Sequence, residues 1–241
     1  MKAAQGHFGR RLHAGRRPRR GAFTLVELLT VVVIIALLAA ILLPTVVSAI
    51  RAACLVKTRT RVGSLSTACE LYKRDHSLYP GQAVLTDAAR GLTGSGGPYT
   101  GSQVLAACVY GFDVASANPM PRGGYDVYKD EFLREILAGP RPRVMADGFP
   151  QGKSLAICYY PAVPGEETLN QYRYEHNQAH TDFKPANDRP DAAQQKAQFL
   201  EFIQDRRAGG DRPCRPTEFL IVAAGASRKF FVEGNVTNFG P

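Results

Sequence analysis

The 241-residue chain is 45% hydrophobic, which is enough apolar content for a packed core and too much for a disordered polymer. Its net charge of +9 suggests a nucleic-acid partner only until the charge is located: Lys2, Arg10, Arg11, Arg16, Arg17, Arg19 and Arg20 all lie in a leader, residues 1–22, that holds no acid. The remainder is close to balanced, so charge gives no case for a nucleic-acid protein.

Behind the leader, residues 28–50 form a run without a single charge. As a helix they reach roughly 35 Å, against a bilayer hydrocarbon core of about 30 Å. The cation excess lies before the run, with only Arg51, Lys57, Arg59 and Arg61 close after it, and this bias puts the N-terminus in the cytoplasm and the bulk of the chain outside. A secretory signal cut near Val47-Ser48-Ala49 needs a shorter apolar stretch. A twin-arginine signal at Arg19-Arg20 lacks the rest of its motif. A plain anchor fits the length and leaves Glu27 unexplained, since a carboxylate in such a segment costs up to ~2.5–3.5 kcal/mol at mid-bilayer. At the edge of the run, Glu27 could simply sit among headgroups.

Further along, Leu55, Val62, Leu65, Cys69 and Tyr72 recur at helical spacing, so the helix is expected to continue through 51–78 as an amphipathic rod. Pro44 lacks an N–H and predicts a kink or local unwinding. Tyr79-Pro80-Gly81 is a stop signal. The head is expected over 79–241. Residues 91–101 (GLTGSGGPYTG) read as a loop without the Lys-Ser/Thr of a phosphate-binding turn, and 130–138 as a short capped helix. Strands are expected at 154–160, 217–224 and 228–233, with a helix over 191–207 carrying Phe199, Phe202 and Ile203 on one face. A long helix on a small antiparallel sheet is an α+β arrangement.

No catalytic constellation emerges. His176 and His180, with Glu175 and Asp182 nearby, could supply half a metal site, but the polar segment YRYEHNQAHTDFKP reads as a solvated loop and no metal ligand set is assigned. Cys54, Cys69, Cys108, Cys158 and Cys214 show no CxxC spacing, and their pairing cannot be read from sequence.

Phe23-Thr24-Leu25-Val26-Glu27-Leu28-Leu29, behind a basic leader and ahead of a long apolar helix, resembles the class III leader of type IV pilins and type II secretion pseudopilins. The resemblance implies cleavage by a prepilin peptidase before Phe23 and methylation of the new amino terminus. Counted from there, Glu27 is fifth and Pro44 twenty-second. The family usually has glycine before the cut; here Ala22 stands there and Gly21 one position earlier. The resemblance also gives Glu27 a role, neutralising the Phe23 amino group of a neighbouring subunit in the filament. ELYKRDHSLYPG at 70–81, DGFPQGKSLAICYYP at 147–161 and FLIVAAGASRKFFVEGNVTNFG at 219–240 are similar to segments of major pseudopilins, some of which hold calcium in the last loop through acidic and carbonyl oxygens. In the 225–238 loop Ser227-Arg228 and Asn235 stand where acids are usual, so no cofactor is expected. The reading is a structural subunit of the inner membrane and then of a periplasmic filament, partnered by the peptidase and by other pilin-like subunits. A type IV pilus subunit and a membrane-tethered or secreted enzyme are the alternatives.

Overall fold

The computed structural model describes residues 24–82, 100–110, 133–134, 144–150, 154–181, 191–207, 209 and 211–239. Two compact units divide the chain, the first ending at Val47 and the second beginning at Ser48.

Helix α1 (Leu25–His76) supplies the first unit with an apolar rod. Its large apolar side chains, from Leu25 at 79% to Val47 at 46%, are all exposed. The helix continues through Pro44, which withholds the N–H that the Ala40 carbonyl would accept. Thr45 Oγ1 donates to the Leu42 carbonyl at 2.7 Å one turn back.

In the second unit the outer half of α1 is amphipathic, as its spacing predicts. Thr58, Arg61, Val62, Leu65, Ala68 and Cys69 are buried along one face, while Val56, Arg59, Thr60, Gly63 and Thr67 face out. The helix ends where the stop signal places it. Ser77 turns left-handed (φ 64°) and its N–H reaches the Lys73 carbonyl at 2.7 Å, which satisfies one carbonyl of the last turn.

A three-stranded antiparallel sheet, ordered β3-β4-β5, forms the centre of the head: β3 (Cys158–Pro161), β4 (Phe219–Ala223) and β5 (Val236–Thr237). Its register pairs Tyr159 with Ile221 and Ala223 with Val236. Side chains alternate across a strand. Tyr159, Phe219, Ile221 and Ala223 therefore enter one core with Val62, Leu65, Ala68 and Cys69 of α1, while Cys158, Tyr160, Leu220 and Val222 enter a second with Phe199 and Ile203. β4 is buried on both faces, which accounts for its unbroken apolar run FLIVA. The α+β arrangement expected from the sequence is the one observed.

The second core is covered by α4 (Ala192–Ile203), capped by Asp191, whose carboxylate accepts the Ala193 N–H. The helix expected over 191–207 ends sooner, because Gln204 leaves it to pair with Pro213. Helix α2 (Gly101–Tyr110), absent from the sequence reading, is opened by a capping box: Gln103 N–H points to Thr100 Oγ1, and Thr100 N–H donates to Gln103 Oε1 at 2.9 Å. The loop expected over 91–101 otherwise lies outside the described residues.

Three expectations are corrected. Leu133–Arg134 is strand β1, paired antiparallel with β2 (Val144–Met145), so no helix runs through that point of 130–138; tertiary pairing overrides local propensity there. Residues 228–233 do not form a strand, since Arg228 (φ 56°) and Phe231 (φ 59°) are left-handed and turn the chain, and the strand is β5 instead. The segment around the histidines is no solvated loop: Tyr174–Asn177 is a 3-10 turn running into α3 (Gln178–Thr181), with Tyr174, Asn177 and His180 buried.

Candidate functional site

At the start of α1, Thr24 and Glu27 form a reciprocal pair. Glu27 N–H donates to Thr24 Oγ1 at 3.2 Å, and Glu27 Oε2 accepts both the Thr24 N–H at 2.9 Å and the Thr24 hydroxyl at 2.8 Å. This is a capping box, with Thr24 as N-cap and Glu27 at N3, and it satisfies donors that a helix start otherwise leaves open. The signal T-x-x-E ahead of an apolar run is present in the sequence. Glu27 Oε1 makes no hydrogen bond among the described residues, so the carboxylate can cap its own helix and still receive a second donor. Of the other predicted site residues, Pro44 lies within α1, and Gly21, Ala22 and Phe23 lie outside the described residues.

The head grips α1 through residues 144–150. Gly148 N–H donates to Thr58 Oγ1 at 2.9 Å, and Thr58 in turn donates to the Cys54 carbonyl at 2.8 Å. Arg61, 4% exposed, reaches across to the Ala146 carbonyl at 2.8 Å and to the Asp147 carbonyl. Burial of a guanidinium is tolerable only with such acceptors around it. The sequence showed Arg61 only as one of a group of outer-flank cations.

Gly148 is required by the closeness of this contact. A Cβ there would lie 2.5 Å from the Cys54 carbonyl oxygen and 2.8 Å from both Lys57 Cβ and Thr58 N, none of them the end of a flexible side chain. Gly148→Val should therefore destabilise the head by about 3 kcal/mol or more, the upper range for overpacking. Thermal unfolding followed by circular dichroism checks this; a melting temperature equal to wild type would show that the loop can lift off α1 without cost.

The histidines sit at the edge of the second core. His180 Nε2 is 2.7 Å from the Thr100 hydroxyl that caps α2, and the Nδ1 atoms of both His176 and His180 are buried with no hydrogen bond among the described residues. Burial pulls both rings down to about 4; the Arg173 guanidinium adds to the effect at His176 and the Glu175 carboxylate opposes it. The neighbouring Asn177 side chain links α2 to the sheet, accepting the Ser102 N–H at 3.0 Å and donating to the Tyr159 carbonyl at 2.6 Å. All five cysteines are free thiols, and burial pushes Cys69 and Cys158 well up from the ordinary thiol range.

Residues 17–43 match the prokaryotic N-terminal methylation motif family. The match takes in the end of the basic leader from Arg17, the Thr24–Glu27 capping box and most of the exposed apolar stretch of α1. It supports a class III prepilin-like leader on a pilin-like precursor, and it implies processing by a prepilin peptidase and assembly with other pilin subunits. The helix behind it is long and apolar enough to cross a membrane. No curated protein and no solved structure matches the chain.

Proposed function

We propose that the chain is the precursor of a structural subunit of a type II secretion pseudopilus. The leader is cut between Ala22 and Phe23, the new amino terminus is methylated, and the subunit is held in the inner membrane with its head in the periplasm until it joins a filament. Its work is assembly rather than catalysis. The methylation motif over 17–43 carries this reading, because it runs into the first part of α1, whose large apolar side chains from Leu25 to Val47 are all exposed. Such a surface needs lipid before assembly and neighbouring helices after it. Similarity of the 70–81, 147–161 and 219–240 segments to major pseudopilins favours the secretion apparatus over a type IV pilus.

Processing is the first test. Co-expression with an active prepilin peptidase should shorten the chain by the leader and leave methylated Phe23 as its first residue, which N-terminal sequencing and intact mass read directly. A start near Ile50, or an intact leader beside an active peptidase, would return the N-terminus to an ordinary signal or anchor and reopen the tethered-enzyme alternative. Copurification of the processed subunit with secretion or with pilus components then separates the two filament readings.

A further inference from the structure

The closing loop of the head, 225–238, is where calcium would be held if the resemblance to major pseudopilins extended that far. Its residues do not fit a hard cation. The Ala224 and Lys229 carbonyls, which such an ion would draw on, both accept hydrogen bonds from the Asn235 amide, at 2.9 and 2.7 Å. The Asn235 oxygen accepts the Val232 N–H at 3.1 Å, and Ser227 Oγ donates to the Ala224 carbonyl at 3.1 Å. Calcium wants six to eight converging oxygens with several carboxylates among them; this loop presents an amide NH2 at its centre and the exposed Glu233 as its carboxylate.

Positive charge is nonetheless supplied to the loop, by Arg228. Its guanidinium pairs with the carboxylate of Asp147, which is wholly buried, and lies 4.2 Å from the centre of the Phe149 ring. Asp147 also accepts the Phe149 N–H at 3.2 Å, while its own carbonyl is held by Arg61 of α1. A buried carboxylate needs a counter-charge. Arg228 provides it from a left-handed backbone position in the turn, so a single side chain ties the closing loop to the 144–150 segment that grips α1.

We propose that Arg228 is a built-in cation: with the Asn235 amide it closes the 225–235 loop and makes the head independent of divalent metal. The inference rests on the head alone. Its failure would leave the prepilin reading standing, and failure of the processing test would leave this one standing.

Thermal unfolding of the full chain in detergent, with calcium chloride or with EGTA, tests it. Wild type should melt at the same temperature in both. Arg228→Met should lower the midpoint by roughly 10 °C, the scale expected when a buried charge loses its partner in a domain of this size. Asp147→Asn should lower it as well. Because both singles break the same pair, Arg228→Met combined with Asp147→Asn should cost clearly less than their sum. A wild-type midpoint that falls in EGTA or rises with calcium overturns the proposal without any variant being needed. Strict additivity of the two substitutions, or an Arg228→Met midpoint equal to wild type, overturns it too.

Discussion

Glu27→Val is expected to insert into the membrane and to be processed at close to wild-type yield, yet to be lost from filaments. In the subunit the carboxylate contributes one helix cap, so its removal costs about 1 kcal/mol at the first turn of α1. Removal of a charge from an apolar segment offsets part of that cost. At docking the cost is larger, because the amino group of a neighbouring Phe23 would be left without its counter-charge. Breaking such a pair costs about 3–5 kcal/mol, more than roughly a hundredfold in an association constant. The capping box supplies a control. Thr24→Ala removes the hydroxyl partner of Glu27 and keeps the carboxylate, so it should weaken the cap and spare assembly. Cross-linking in membranes and filament recovery separate the steps. If Thr24→Ala is lost from filaments as completely as Glu27→Val, the helix cap is the assembly requirement and the intersubunit pair is wrong.

The sequence revealed most where one physical signal dominated. An uncharged run of bilayer length, a Tyr-Pro-Gly stop and the doubly apolar strand FLIVA each admit one structural answer, and α1 and β4 lie where those signals put them. It revealed little where the deciding partner is distant in the chain. RKFFVE at 228–233 reads as a strand, yet Phe231 packs in the second core beside Phe199 and Tyr174, and Arg228 pairs with Asp147; two left-handed residues reconcile these demands and end the extended backbone. The YRYEHNQAH segment is polar by composition, but Asn177 and His180 meet the polar start of α2, so they are buried with partners rather than solvated. Arg61 shows the same limit: a basic residue in an outer flank reads as surface until the carbonyls that receive it are known. The candidate assembly site divides likewise. The register of Glu27 is a matter of sequence alone, and its partner in the structure, Thr24, belongs to a local T-x-x-E motif.

Acidification should loosen the head before its carboxylates matter, and the histidines set the window. Both rings are held down to about 4, burial being the first cause at each, with Arg173 adding to it at His176 and Glu175 opposing it there. In the unfolded chain they titrate near the ordinary value of about 6.5. The unfolded state therefore binds more protons between these limits, and stability falls as pH falls through that interval. Above about 6.5 their contribution is fully present, and below about 4 both states are protonated and nothing further is lost. A shift of this size corresponds to roughly 3 kcal/mol for each ring. His180 should be the more consequential of the two, because it lies at the cap of α2, where Thr100 already engages the Gln103 N–H and a protonated ring would oppose the helix dipole. Glu175 is lowered too: burial, the largest single influence, would raise it, but the Lys196 ammonium at 2.7 Å, a backbone N–H and the His176 charge together outweigh it, so its contribution is lost as pH falls through the acid end of this interval and below. Urea unfolding at intervals from pH 7.5 to 4 should show the steepest loss between about 6.5 and 4. His180→Gln, which keeps a polar group within reach of Thr100, should flatten that slope by about half. A wild-type profile level across the interval, or a His180→Gln profile with the wild-type slope, would show that these rings reach water in the folded head.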